Sequence, residues 1–346
     1  MSATLAADSH AAPSGNVVCV IVTYADRRTL LRTVLDALPA QGVSRAVVAD
    51  NGARWSVRPE LTASYGDFVD VVEMGRNTGS APGFAAGMRR AIEIGAEFIW
   101  LLDDDNLPAE HSLKRLITGY RDASVKARTN IIAVCGYRSG IYSRYINDIE
   151  YVKWIKPEQC FLGFHFANVI RKLLITVVGE RRRPKPDIGD GRFQLAKAAY
   201  GGLLFHRSLI GHIGLPRSDF ILYEDDTEWT SRICRRGGSI FLIAGVVIED
   251  LETSWVTAKW RGSGFVAWVF GENQFKVYYS IRNKVYLSKI NMHTKSAAFI
   301  LNAVIYILAI NLFCMIFFKF KRLRLIMRAI FDGYKGQLGV KSNIDM

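Results

Sequence analysis

The sequence predicts an α/β domain with a mostly parallel sheet and helices on both faces, followed by an apolar, basic helical segment at the C-terminus. Three observations predict it. Between residues 16 and 120, continuous β-branched runs alternate with stretches of helical spacing. Polar and charged residues gather where those runs end, and residues 296–318 are uncharged and lead into the basic run "KFKRLRLIMR".

The elements follow in order. Val17–Val22 is a continuous apolar run that breaks at Thr23–Tyr24, and apolar residues return with helical spacing at Leu30, Leu31, Val34, Leu35 and Leu38. That is a buried parallel strand, a loop and an amphipathic helix. A second strand, "RAVVADNG", ends at Asn51–Gly52, and a third, "DVVEM", ends near Gly75. The Gly-rich turn "RNTGSAPGFAAG" then enters the helix "FAAGMRRAIEIGA", and a fourth strand, "FIWLL", delivers Asp103, Asp104 and Asp105. Ligands of parallel α/β sheets bind at the carboxyl ends of the strands. Tyr24, Asp50, Arg76 and the three aspartates all lie at such ends. The pattern loosens between Tyr137 and Asp190 and resumes at "AAYGGLLFHRSLIGHIGLPRSDFILYEDDTEW". The organisation expected is a flexible tail (1–15), one domain (16–290) and a C-terminal segment (291–346). The domain divides into halves at 16–120 and 121–290, with a basic insertion near 140–190.

Charge divides the chain. Residues 1–150 carry 16 basic and 17 acidic side chains, whereas residues 151–346 carry 29 basic and 15 acidic. The whole excess of +13 therefore belongs to the second part, which points to a nucleic-acid or membrane-facing surface. No recognised nucleic-acid motif accompanies it, so no nucleic-acid partner is expected. Five scattered cysteines, never in a CxxC, read as reduced and place the catalytic part in the cytoplasm. There is no Walker loop, no HExxH and no GxSxG, which argues against P-loop, zincin and serine-hydrolase chemistry.

Two acidic clusters carry the chemistry. The Asp103–Asp105 run is either a solvated turn or a site for a positive partner. Oxygen donors without nearby His or Cys suit Mg²⁺ or Mn²⁺, which also takes substrate phosphate oxygens. The second cluster, Glu224, Asp225, Asp226 and Glu228, precedes a helix. It is either dipole-favoured acid at a helix start or a general base whose pKa its neighbours raise.

Taken in order, "VIVTYADR", "VADNG", "RNTGSAPGFAAGMRRAIEIGAEFIWLLDDD", "GGLLFHRSLIGHIGLPRSDFILYEDDTEW" and "YYSIRNKVYL" resemble an inverting glycosyltransferase of family 2 with the Rossmann-like GT-A fold. Within it, the chain is most similar to bacterial galactofuranosyltransferases, then to rhamnosyltransferases of surface-polysaccharide assembly. The resemblance covers roughly residues 16 to 290. It implies that Thr23, Tyr24, Arg27 and Asp50 hold the nucleotide base and ribose, and that Arg76, Asn77 and Gly79 lie along the donor. It implies Asp103 and Asp105 as the metal pair, Asp104 beside the sugar and diphosphate, Asp226 as catalytic base, and Asp225 and Glu228 around the acceptor pocket. Relatives often place a metal-ligating His after the strand that follows the base motif. Here Glu249–Asp250 stands in that place, so Asp250 is either a substitute oxygen ligand or part of a solvated strand end.

The resemblance thus implies single-displacement transfer from UDP-galactofuranose, with Mn²⁺ or Mg²⁺, to a polyprenyl-diphosphate-linked glycan of a surface polysaccharide. Transfer from dTDP-rhamnose is the alternative, and a silent sugar-nucleotide-binding scaffold is another. The location implied is the cytoplasmic face of the bacterial plasma membrane. From Lys276 onward there are twelve basic and two acidic residues, suited to an anionic membrane surface. Residues 296–318 are long enough to span a bilayer, although Asn302 and Asn311 favour an in-plane anchor and a buried core helix also fits. Oligomeric state is left open.

Overall fold

A computed structural model of the protein describes residues 15–127, 129–142, 159–167, 169, 191–252, 264–271, 273–290 and 296–341. The expected tail and most of the basic insertion lie outside them.

Among the described residues nine strands form one sheet: β1 (Val17–Ala25), β2 (Arg45–Ala53), β3 (Val69–Glu73), β4 (Phe98–Asp103), β5 (Asn106–Pro108), β6 (Ile132–Tyr137), β7 (Arg192–Leu195), β8 (Leu203–His206) and β9 (Ser239–Asp250). The helices are α1 (Arg28–Gln41), α2 (Val57–Tyr65), α3 (Ser80–Glu93), α4 (Ser112–Ala127), α5 (Ser208–Ile213), α6 (Asp225–Arg235), α7 (Gly264–Phe270), α8 (Gln274–Ile290), α9 (Ala297–Ile316) and α10 (Phe320–Lys335). The sheet order is β3-β2-β1-β4-β8-β6-β9-β5, with β7 also paired to β9.

The four N-terminal strands pair in parallel, as the strand–helix alternation predicts. Beyond β4 the sheet is mixed. β8 runs antiparallel to both β4 and β6, while β5 and β7 run antiparallel to β9. The reversal has a local cause. The "YGG" turn reaches the carboxyl end of β4, where the Gly202 N–H donates to the Leu101 carbonyl, so the chain can only enter β8 running downward.

Helices cover both faces. Val18, Val20 and Val22 of β1 pack with Phe84, Met88 and Trp229, whereas Cys19 and Ile21 pack with Leu31, Leu35 and Trp100 on the other side. Alternate side chains of a strand point to opposite faces, so burial of both demands an unbroken apolar run.

A third cluster joins α7 to α10: Trp268, Tyr278, Tyr306 and Ile326 share it with Phe161 and Ile221. The boundary expected at residue 290 falls inside this cluster, since α8 packs on α10 and the Tyr278 hydroxyl donates to Asp332. α9 is the one described helix long and apolar enough to cross a membrane. Its stripe Phe299, Asn302, Tyr306, Ile310 and Cys314 is buried against the body, while Ile300, Val304, Leu308, Leu312 and Ile316 stay exposed.

Candidate active site at the strand ends

The carboxyl ends of β1, β4, β6 and β9 bring two arginines to the aspartate run. Arg27, just past β1, donates from Nε to Asp104 Oδ1 at 2.7 Å, and its other nitrogens reach Asp105 at 3.1 Å and Glu252 at 2.5 Å. The Thr23 hydroxyl donates to Asp104 Oδ2 at 2.8 Å. Arg138, one residue past β6, lies 3.1 Å from Asp103 Oδ2 and 2.6 Å from Asp250 Oδ1. Asn106 closes the network. Its amide donates to Asp105 and Asp250, and its oxygen accepts from the Asp103 N–H. A side chain on Gly201 would collide with Asn106, Arg138 and Asp103, so the "GG" of the β8 entry is what lets this network close. The repulsion within the run is thus offset from inside the chain, by two guanidiniums.

Burial pushes the Asp104 carboxyl up to about 7, opposed by Arg27 and Thr23. Burial, then the Asp103 charge, also pushes Asp105 up. The described residues contain no group of three His, Cys, Asp or Glu placed to hold a metal ion. Two carboxylates on one tight turn nevertheless fit a hard cation that completes its shell with diphosphate oxygens. Asp103 keeps 39% of its side chain exposed for such a role. Asp250, the candidate substitute ligand, accepts on Oδ1 from Arg138 Nε and Nη2 and from Asn106.

The second cluster follows β8 in the chain. Asp225 and Asp226 open α6, where the helix start favours acid. The Ser80 hydroxyl, at the start of α3, donates to Asp225 Oδ2 at 2.8 Å, and the Thr227 N–H donates to Asp226 Oδ1 at 2.6 Å. The positive charge of Lys197 favours the anionic form of Asp226. Burial pushes both carboxyls up, Asp225 further through Asp226 and Asp226 further through Glu224. The Asp103 charge also raises Asp226, which relates the two clusters electrostatically. A partly exposed carboxylate whose proton affinity is raised is chemically able to take a proton from a hydroxyl.

A scan against protein-family models finds no match. Curated relatives do match: galactofuranosyltransferase GlfT1 of Mycolicibacterium smegmatis is 28% identical over 225 residues, 64% of this chain and 66% of that protein. The enzyme of the same name from Mycobacterium tuberculosis is 27% identical over 230 residues, again 64% and 66%. The chain is similar to galactofuranosyltransferases. The match spans just under two thirds of their length. Solved structures that align with the chain include GalNAc-T7 with UDP, GalNAc and Mn²⁺, at 14% identity and TM-score 0.48 over 77% of this chain and 49% of that one. Staphylococcus aureus TarS 1–349 aligns at 10% identity and TM-score 0.42 over 93% and 92%.

The other residues that the resemblance to galactofuranosyltransferases implies have these places in the structure. Tyr24 is 39% exposed with the Arg27 guanidinium 5.4 Å above its ring, while Arg27 itself is committed to carboxylates. Asp50 Oδ1 caps the turn by accepting from the Ala53 N–H. Arg76 is exposed. Asn77 accepts from the Gly79 N–H, and a side chain on Gly79 (φ 94°) would collide with the Ile221 carbonyl. Glu228 departs from its expected place around the acceptor pocket. It is buried and paired with Arg232 at 2.5 Å and Arg235 at 3.6 Å, because it lies on the inner face of α6. Three residues escaped sequence reasoning: Asn51, Asn106 and Arg138. Asn51 is buried, donates to the Gly79 carbonyl and accepts from Thr78. The rule that ligands gather at strand ends could have found Arg138, the residue that follows "IIAVCGY".

Proposed function

We propose that the protein transfers galactofuranose from UDP-galactofuranose to a hydroxyl of a glycan carried on a polyprenyl diphosphate, with inversion at the anomeric carbon. The observation that carries this reading is the pair of acidic clusters, the Asp103–Asp105 turn met by Arg27 and Arg138 and the partly exposed Asp226 with its raised carboxyl pKa, in a chain similar to galactofuranosyltransferases. Asp103 and Asp105 would hold a divalent cation, Mn²⁺ or Mg²⁺, which supplies Lewis-acid stabilisation of the departing diphosphate. Asp226 accepts the proton of the acceptor hydroxyl; burial and the Glu224 charge keep its proton affinity high, and Asp225 is fixed beside it in sequence by Ser80. Arg27 and Arg138 hold the turn carboxylates so that they need no reorganisation when the donor arrives.

The acceptor reading extends to the C-terminal helices. The exposed stripe of α9 continues into exposed Phe318, Phe320 and Phe331, interleaved with exposed Lys319, Lys321, Arg324 and Arg328. Aromatic and aliphatic surface bordered by basic residues suits an anionic bilayer surface at the cytoplasmic face of the plasma membrane. Burial of the opposite stripe, with Asn302 bonded to Gln159 and Phe166, favours α9 lying in the membrane plane. A span would have to strip that face from the body.

The deciding experiment incubates the full chain with UDP-galactofuranose, Mn²⁺ and a polyprenyl-diphosphate glycan, with dTDP-rhamnose in parallel. UDP release coupled to a β-linked product is expected. Turnover of dTDP-rhamnose alone would replace the donor assignment, and binding without turnover of either would leave a scaffold.

A further inference from the structure

The stretch "YYSIRNKVYL" has no role in the chemistry above, yet its centre is among the most buried polar structure in the protein. Arg282 and Asn283 of α8 are both 0% exposed. They face the loop that leads into the Asp225–Asp226 pair. In that loop Ile221 (φ 67°), Tyr223 (φ 62°) and Glu224 (φ 63°) all have left-handed backbone, and none is glycine. Such conformations cost free energy in any bulky or β-branched residue and persist only where the surroundings over-determine them.

The surroundings do so. Asn283 Nδ2 donates to three loop carbonyls, Phe220 at 2.9 Å, Leu222 at 2.8 Å and Tyr223 at 2.8 Å. An amide has two such hydrogens, so one is shared. Its orientation is dictated, because Asn283 Oδ1 accepts from Arg282 Nε at 2.9 Å and only the NH₂ can face the loop. Arg282 Nη2 reaches the Asp219 and Phe220 carbonyls at 3.3 and 3.1 Å. Lys284, next in sequence, sits 3.5 Å from the Glu224 carboxylate. Three successive residues of α8 therefore hold the loop from 219 to 224. Its Ile221 carbonyl presses on Gly79 of the donor-side turn, and its end sets the first turn of α6.

We propose that Asn283, supported by Arg282 and Lys284, is a positioning residue: it holds the 220–224 loop in its left-handed path and so fixes where Asp226 meets the acceptor hydroxyl. The proposal rests on the transferase reading for its catalytic consequence, but not for the clamp itself. The strain explains why a clamp is needed. Without donors for three carbonyls, the loop would relax toward ordinary backbone and carry the start of α6 with it.

The test uses the full chain with Asn283→Asp, isosteric but without donors, and Asn283→Ser, which keeps one shorter donor should the first fail to fold. Two readouts are taken: hydrogen exchange of backbone amides 222–228, and steady-state transfer with UDP-galactofuranose. Expected is faster exchange at Leu222 and through the first turn of α6, with kcat down about 100-fold, the scale of a displaced reacting group, and donor KM within about threefold. Unchanged exchange in folded variants overturns the clamp. Faster exchange with unchanged kcat overturns its catalytic role. Should wild type prove inactive on sugar nucleotides, the transferase reading falls, and exchange alone decides the clamp.

Discussion

The two acidic clusters are related through the Asp103 charge on Asp226 and are built differently. Asp103, Asp104, Asp105 and Asp250 are met by Arg27 and Arg138, with Asn106 filling the remaining bonds. Asp225 and Asp226 receive a hydroxyl and a backbone N–H. A carboxylate beside a fixed guanidinium is favoured as an anion, which at Asp104 and Asp105 opposes the upward push of burial. A carboxylate buried beside other carboxylates gains proton affinity. Two arginines reach the first cluster directly, whereas in the second Lys284 pairs with Glu224 and Arg232 with Glu228, and the Asp225–Asp226 pair between them in sequence is met by a hydroxyl and a backbone N–H.

The sharpest way to break that comparison is Asp226→Asn, which leaves shape and removes basicity. Turnover should fall by about three orders of magnitude or more, with UDP affinity unchanged by calorimetry, since a base acts in the transition state. The pH profile carries the same logic with a definite sign. Burial and Glu224 raise the Asp226 carboxyl, and the base works only when deprotonated, so the rate should climb with pH along a limb centred above about 4, the ordinary aspartate value. Stability should move the other way. Both carboxyls hold protons in the fold that the unfolded chain has released, so stability is full below the unfolded value and declines as pH rises through the folded ones. A rate limb at the ordinary aspartate value would place the base elsewhere.

The arginine-bound side should fail differently. Asp103→Asn with Asp105→Asn should abolish Mn²⁺-dependent UDP binding, a loss on the order of 100-fold in affinity, while melting changes little because both carboxylates are partly wet. Normal calorimetric binding of UDP with Mn²⁺ would remove the metal assignment. Arg138→Met asks what the guanidinium contributes. It leaves Asp103 and Asp250 facing each other, and should cost about 2 kcal/mol in a urea titration, below the value for a fully buried pair because both carboxylates reach solvent. Added Mn²⁺ should recover part of that loss. A variant as stable as wild type without metal would mean the arginine does not offset the run.

Legibility in the sequence followed the same division. The first four strands were readable because burial on both faces forces unbroken runs such as Val17–Val22, and strand-end logic then located Asp103 to Asp105. The reversed β8 was not readable, since its direction is decided by where the "YGG" turn meets Leu101, a contact distant in sequence. Glu228 looked like its acidic neighbours, and only the helix phase turns it inward to Arg232. The resemblance implies Arg27 at the nucleotide, and nothing local in the sequence tells that its guanidinium meets Asp104. The strained backbone at Ile221, Tyr223 and Glu224 left no trace in composition, since glycine, the usual marker of such angles, is missing there.

The smallest expected effect concerns the exposed surface of the C-terminal helices. Deleting the C-terminal helices would confuse the answer: Ile326 and Ala329 share a core with α8, so their loss would disturb Asn283 as well. Point changes on the exposed stripe avoid this. Leu308→Gln, Leu312→Gln and Phe318→Ser are each on residues 57 to 81% exposed, so folding should be nearly untouched. An apolar group withdrawn from the bilayer interface costs about 0.8 kcal/mol per methylene if fully buried and less at an interface, so the triple variant should bind anionic liposomes about tenfold more weakly. High salt should weaken wild type further, because Lys319, Lys321, Arg324 and Arg328 contribute through screened attraction. Transfer to a water-soluble acceptor should be unchanged, whereas transfer to a lipid-linked one should drop with binding. Liposome binding equal to wild type would show that the stripe meets something other than lipid, with a second copy of the chain the outcome to read from its sedimentation.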